Sequence, residues 1–301
     1  MMILVSGASG LIGSALAPFL ASGGREIVPL TRGGNGARSA GVRWDPQAGT
    51  IDRERLAEIR PDAVVHLSGE DISHGRWTRA KKARIRSSRV DGTALLVSAL
   101  CELRRPPQTL IAASAIGYYG NRGDEVLTEA SPPGSDFLAG VCRDWEAVTA
   151  PAAECGIRVV NARIGVVLSG AGGALGAMLT PFKLGAGGPI GDGRQYLSWI
   201  AIDDVVAAVQ FALTNPSISG PLNLASPEPV PNAEFARALG KVLSRPAVLP
   251  LPATAVRLLF GEMGDALLLS STRVIPQRLV DAGFRFRFPT LEPALRHVLG
   301  Q

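Results

Sequence analysis

Three cysteines, three histidines and three tyrosines are scant in a chain of 301 residues, and aromatics make up only 5% of it. Cys101, Cys142 and Cys155 are odd in number and have no C-x-x-C spacing, which argues against a disulfide framework and against a zinc site. His66, His74 and His297 are scattered, so no metal is expected. No uninterrupted apolar run is long enough to span a bilayer, and no membrane partner is expected. Met1–Val5 carries no basic leader and a glycine turn follows it at once, so no secretory signal is read and a cytoplasmic location is expected. The net charge of +5 is small and mostly dispersed, which argues against a nucleic-acid partner.

What the chain does have begins near its N-terminus. The apolar run Met1–Val5 reads as a buried parallel strand, and Ser6-Gly7-Ala8-Ser9-Gly10-Leu11-Ile12-Gly13 follows as a glycine turn leading into a helix. In such a turn the first glycine allows the bend, the second admits a pyrophosphate and the third lets the helix pack on the strand. The helix start adds free N–H groups and partial positive charge. A dinucleotide is therefore expected against Gly7, Ser9, Gly10, Leu11, Ile12 and Gly13.

Strand and helix signals then alternate. Strands are expected at Ile3–Ser6, Glu26–Thr31, Val42–Asp45, Ala63–Ser68, Thr109–Ala113 and Arg158–Arg163, and helices at Leu11–Ser22, Arg89–Leu103 and Phe137–Cys155. The pattern predicts an α/β fold, a Rossmann-type doubly wound parallel sheet, with a smaller C-terminal α/β substrate domain. After Gly165 come glycine-rich loops at Ser169–Gly176 and Gly185–Gly193 around a short helix, Met178–Leu184. Ser198–Ile202 is expected to return to the sheet as a strand, with Asp203-Asp204 capping a helix over Val205–Thr214. Dense prolines follow, with helices at Asn232–Leu243 and Ala253–Leu259. The alternation Gly283–Phe288 puts three phenylalanines on one face of a strand. The expected division is 1–165 plus 196–222 for the dinucleotide domain and 166–195 plus 223–301 for the substrate domain. His66 sits in a core-strand run and reads as a satisfied structural histidine.

The ordered motifs resemble a known family. Gly7-x-x-Gly10-x-x-Gly13, Asp62–Gly69, Gly92-Thr93 and Ala113–Gly120 are similar in order to extended short-chain dehydrogenase/reductases. Trp44-Asp45-Pro46, Gly69-Glu70, Arg76-Trp77, Trp145-Glu146 and Ser198-Trp199-Ile200 resemble an atypical epimerase-like branch, variously labelled nucleoside-diphosphate-sugar epimerase or cell division inhibitor-like. The second strand ends in Leu30-Thr31-Arg32 with no acid. An acid there binds the ribose hydroxyls of NAD, whereas Arg accommodates the extra phosphate, so NADP(H) is expected, with Thr31 and Arg32 in contact. The resemblance also implies cofactor contacts from Leu67, Ser68, Gly69, Arg89, Ala113, Ser114, Cys142 and Arg163.

The resemblance further implies a Ser, a Tyr and a Lys, the last two as Y-x-x-x-K, for proton transfer. Ser114 stands in the serine position, but the Y-x-x-x-K pair is absent, with Leu138 and Cys142 in its places when Glu146 is aligned with the acid that usually follows. Tyr118, Tyr119, Glu70 and Arg89 are the candidates to replace it beside Ser114. Lys82, Arg86 and Arg89, in a basic run from Arg76, read either as a solvated face or as an anion site. Arg163, the 185–193 loop, Gln195, Ser198 and Trp199 are expected around a small-molecule substrate, with nucleotide-sugars or other anions among the options. The expected function is an oxidoreductase or epimerase-like enzyme, monomeric or homodimeric. The alternative is a non-catalytic NADP(H)-binding redox sensor or assembly factor.

Overall fold

The computed structural model describes residues 1–32 and 41–301. A central sheet collects β1 (Met2–Ser6), β2 (Glu26–Arg32), β3 (Val42–Asp45), β4 (Thr50–Ile51), β5 (Ala63–His66), β6 (Thr109–Ala115), β8 (Arg158–Ile164) and β12 (Gly220–Leu224). Their order across the sheet is β12-β8-β6-β5-β1-β2-β3-β4. All neighbours run parallel except β3 and β4. Strand order reverses between β1 and β5, and that switch point is where an open α/β sheet leaves a crevice at its carboxyl edge.

Alternating side chains of the strands feed two cores. Ile3 and Val5 join α1 (Leu11–Ser22) and α7 (Ile202–Thr214) on one face. Leu4 and Val64 join α2 (Arg53–Ile59), α3 (Arg79–Cys101) and α5 (Ala150–Glu154) on the other. A third core packs β9 (Val166–Leu168), α6 (Gly173–Lys183), β11 (Trp199–Ala201), α8 (Asn232–Val242) and α12 (Leu291–Leu299) around the fully buried Trp199. The remaining elements are β7 (Val126–Leu127), α4 (Phe137–Ala147), β10 (Tyr196–Leu197), β13 (Val230–Pro231), α9 (Ala253–Phe260), α10 (Glu262–Gly264), β14 (Arg273–Val274) and α11 (Gln277–Asp281). No helix among the described residues is long and apolar enough to cross a membrane. No group of three or more His, Cys, Asp or Glu there is arranged to hold a metal ion.

Several sequence expectations change. α3 starts ten residues before Arg89, because Thr78 accepts the Lys81 N–H and caps it. The helix expected over Phe137–Cys155 is two, α4 and α5, with Pro151 near the start of the second, where a missing N–H costs nothing. The strand expected at Ser198–Ile202 is β11, which pairs with β9 in a separate two-stranded sheet, while β12, unread in the sequence, fills the edge of the main one. Asp204 does not cap α7: its buried carboxylate accepts the backbone N–H groups of Arg287 (2.7 Å) and Phe288 (3.0 Å) and holds the tail instead. That tail alternates in burial as expected, Phe284 and Phe286 facing the first core, yet it pairs with no strand among the described residues. Cys101 and Cys155 form a disulfide, against the reading of the cysteine count, because α3 and α5 end side by side on one face of the sheet.

Candidate functional site

At the switch point a cleft of about 510 Å3 opens between the turns that follow β1 and β5. Gly7 has φ +68°, and a Cβ there would lie 3.0 Å from the Leu67 carbonyl carbon, so the two turns touch through bare backbone. A Cβ on Gly13 would lie 2.1 Å from the Gly7 oxygen, which is why the third glycine is needed for α1 to pack. Gly10 precedes α1 with no side-chain cap and no acid in the first turn. The N–H groups at that helix start are therefore left to an anion in the cleft.

One buried network holds the floor. Ser6 Oγ accepts the N–H of Leu67 (3.0 Å) and of Ser68 (3.3 Å), so its proton goes to His66 Nδ1 at 2.6 Å. That makes Nε2 the protonated nitrogen of His66, donating to Thr93 Oγ1 at 3.0 Å, which also accepts the Trp145 indole N–H at 2.8 Å. Burial pushes the His66 pKa down to about 4, so the ring is neutral. β1, β5, α3 and α4 are thus locked together directly beneath the cleft.

Gly7, Ser9, Gly10, Arg32, Leu67, Ser68, Gly69 and Glu70 line the cleft. Leu11 and Ile12 begin α1 beside it, and Thr31 precedes Arg32 on β2. Trp44, Pro46 and Gln47 close the outer end, and Arg84, Ser87, Ser88 and Asp91 present one face of α3. Sequence reasoning did not assign these seven to the site. The Trp44-Asp45-Pro46 motif was a visible signal, whereas the α3 face depended on a helix that begins earlier than its apolar pattern.

The basic run on α3 resolves into ties. Lys81 binds the Glu70 carboxylate at 2.8 Å, and Arg84 approaches it at 3.6 Å. The Lys81 hydrogen bond holds the Glu70 pKa below the ordinary carboxylate range. Glu70 is therefore a committed ion-pair partner rather than the free base expected, and it does not pair with Arg76, which donates to the Leu258 carbonyl. Lys82 binds Glu262, and Arg86 binds Asp144. Arg89 passes beneath Gly69, its Nη1 donating to the carbonyls of Glu70 (3.0 Å) and Ile85 (3.2 Å) and its guanidinium lying over the Trp145 ring. Burial lowers its pKa, opposed by attraction to Cys142, Glu70 and Asp71.

The inner end holds Ser114, at the close of β6 beside the buried Ala113. Ser114 Oγ donates to Glu146 Oε1 at 2.6 Å, and Arg163 grips both oxygens of that carboxylate at 2.8 Å. Arg163 also donates to Tyr119 Oη at 2.9 Å, and Tyr119 donates to Asn223 at 2.7 Å. Tyr119 is fully buried, and burial pushes its pKa up to about 12, so the expected proton role does not suit it. Arg163, expected as a cofactor or substrate contact, is a buried ion-pair partner, 3% exposed. Tyr118 differs: it is half-buried, Arg163 stacks on its ring at 3.4 Å, and its hydroxyl makes no hydrogen bond among the described residues. Cys142 and Leu138 pack around Gly117, and burial raises the Cys142 thiol to about 12. Ser198, Gln195 and Trp199, expected around the substrate, each donate to backbone carbonyls: Ser198 to Thr272, Gln195 to Ile190 and Leu268, and Trp199 to Glu228.

Residues 3–225 match the model of the NAD dependent epimerase/dehydratase family. The chain belongs to that family. Residues 251–298 match a second model, a domain of unknown function, DUF1731. The epimerase family protein MT2273 of Mycobacterium tuberculosis is 45% identical over 98% of this chain and 96% of its own. The crystal structure of human epimerase family protein SDR39U1 (isoform 2) with NADPH has a TM-score of 0.89 at 34% identity and covers 100% of both chains. A nucleoside-diphosphate sugar epimerase from Corynebacterium glutamicum has a TM-score of 0.81 at 37% identity over 100% of this chain and 58% of that one. The three-glycine turn of this chain is intact at Gly7, Gly10 and Gly13, and none of its three tyrosines is followed four residues later by a lysine.

Proposed function

We propose that the chain binds NADP(H) in the cleft and acts on a small molecule as an oxidoreductase or epimerase-like enzyme. Arg32 carries the cofactor choice: it stands on the cleft wall at the end of β2, where NAD-preferring folds carry an acid. The human relative whose structure contains NADPH supports the same choice. The bare backbone between Gly7 and Leu67 and the uncapped start of α1 suit a pyrophosphate, and Arg32, with Arg84 also on the wall, suits the added phosphate. Residues 1–165 with 196–222 hold the cofactor on this reading, and 166–195 with 223–301 face the substrate.

The dinucleotide, when bound, supplies or takes a hydride. The chain's own residues provide charge and protons. Arg89 supplies the cation that a lysine at position 142 would supply, reaching the Cys142 neighbourhood from α3 instead of α4. Tyr118 is the proton carrier, being the inner-end phenol whose hydroxyl is uncommitted. Ser114 orients the substrate oxygen, and Glu146 with Arg163 holds Ser114.

Direct titration of NADPH and NADH tests the cofactor. Wild type prefers NADPH, and Arg32→Ala loses NADPH affinity about tenfold or more while NADH binding is unchanged, as expected for one charge-assisted contact. Equal affinities in wild type overturn the choice. A second reading, a non-catalytic NADP(H) sensor, is favoured by the commitment of Ser114 to Glu146 and of Tyr119 to Asn223. Tight NADPH binding without hydride consumption across a carbonyl panel selects that reading. Consumption that falls in Tyr118→Phe selects the enzyme.

A further inference from the structure

The chain that leaves α8 folds back on it. On α8, Ala233, Arg237 and Lys241 recur every fourth residue and share one face. Ser244, at φ +53°, turns the chain, and the Arg245 N–H returns to the Gly240 carbonyl at 2.9 Å. A Cβ on Gly240 would lie 2.7 Å from that of Ala247, so the returning run passes against bare backbone. The two runs wall a groove of about 560 Å3, with Arg245, Ala247 and Val248 on the returning side and Pro189 also lining it. This groove shares no lining residue with the cofactor cleft. Its walls, 233–248, fall between the stretches that match the two family models, 3–225 and 251–298.

The charge in the groove is of one sign. Arg237, Lys241 and Arg245 line it, and no carboxylate does among the described residues. Lys241 binds Glu292 at 2.8 Å, but that carboxylate also serves Arg296 at 2.8 Å. Arg245 is fixed by the backbone carbonyls of Lys183 (3.0 Å) and Ser244 (3.3 Å), which bring no net charge. Like charges four residues apart on a helix repel, and a fold that gathers three cations without matching acids gives up stability locally. Faults of that kind belong where a ligand supplies the missing charge. The rim is apolar. The tie from Arg245 to Lys183 sets the end of α6 against the returning run, where Leu184 and Val248 are 79% and 73% exposed and Leu249 is exposed next to Val248. Exposed aliphatic side chains grouped in this way mark contact with another molecule.

We propose that this groove docks a short acidic segment of a partner protein. Its carboxylates meet Arg237, Lys241 and Arg245, and its aliphatic side chains cover Val248, Leu249 and Leu184. A phosphate compound would leave those aliphatic groups in water, and a bilayer surface does not enter a groove. The full chain is titrated, by fluorescence anisotropy, with the labelled peptide Gly-Asp-Glu-Leu-Asp-Asp-Leu-Glu. Parallel titrations use the same peptide with Lys for each acid, the same peptide with Ser for each Leu, inorganic polyphosphate, and vesicles of equimolar phosphatidylcholine and phosphatidylserine. The acidic peptide binds saturably and more weakly as salt rises, and the Lys and Ser peptides bind at least about fivefold more weakly. Arg237→Glu and Val248→Ser, both at exposed positions, each weaken the acidic peptide by about fivefold or more while NADPH affinity is unchanged. No saturable binding of the acidic peptide, equal binding of the Lys or Ser peptide, or unchanged affinity in Arg237→Glu or Val248→Ser overturns the proposal. Polyphosphate or vesicles that displace the peptide at lower concentration than unlabelled peptide does also overturn it.

Discussion

A single hydroxyl, Ser6 Oγ, fixes both turns of the cleft by accepting two amides from one and passing its proton to His66 below. The cost of this arrangement appears in acid. His66 titrates near 6.5 when unfolded and about 4 when folded, so between those values the unfolded chain takes a proton that the folded one refuses. Stability should fall as pH drops through that window, by about 3 kcal/mol in all, judged from the two values. Thermal melts across the window check this. His66→Gln should melt lower at neutral pH and show a flatter acid limb. If the limb is as steep as in wild type, His66 is not its source. Glu146 and Arg163 are the second case. With side chains 12% and 4% exposed, neither charge has water to fall back on. Arg163→Met should destabilise the chain by about 3–5 kcal/mol in denaturant titration, because it strands the carboxylate. A loss near that of an exposed pair, below about 1 kcal/mol, contradicts this.

Among the elements, α3 supplies the site's cation through Arg89 on the proposed reading, while α4 offers a buried Cys142. Arg89→Met should weaken NADPH binding about tenfold, and adding Cys142→Lys to it should recover part of the loss, read by fluorescence titration. No recovery in a folded double variant, together with unchanged binding in the single one, removes Arg89 from the site. The length of α3 was not legible in its apolar pattern, since its first turns are rich in basic residues, with Ile85 the one large apolar side chain among them. They are helical because Thr78 caps them and because Glu70, Glu262 and Asp144 arrive from elsewhere in the chain to match the charges. The α4–α5 break was legible in Pro151. β12 was not, for five residues beginning Gly220-Pro221 read as a loop until β8 stands beside them.

Across the whole molecule, Cys101–Cys155 closes a loop of 54 residues that contains β6, Ser114 and α4. Such closure limits the unfolded chain by up to about 4 kcal/mol in the chain-entropy picture. Reduction, or Cys155→Ser, should lower the melting temperature while NADPH affinity stays within about twofold, because the cross-link lies at the end of α3 away from the cleft. An unchanged melting temperature on reduction shows that the bond contributes nothing.

The sequence by itself determined the α/β order, the three-glycine turn with its strand and helix, the Arg at the end of β2 and the missing Tyr–Lys pair. These are local facts, carried by residues within a few positions of one another. The tertiary structure alone decided which of the candidate groups stay available for chemistry. Tyr118 and Tyr119 are adjacent in sequence, yet Asn223 and Arg163 close off one and leave the hydroxyl of the other uncommitted. Glu70 reads as a base until Lys81 is seen on it, and Met263 in the C-terminal stretch is buried only because Trp77, Ile85 and Val141 meet it. Hydrogen bonds and ion pairs between residues far apart in the chain make those decisions, and no local pattern encodes which distant partner will arrive.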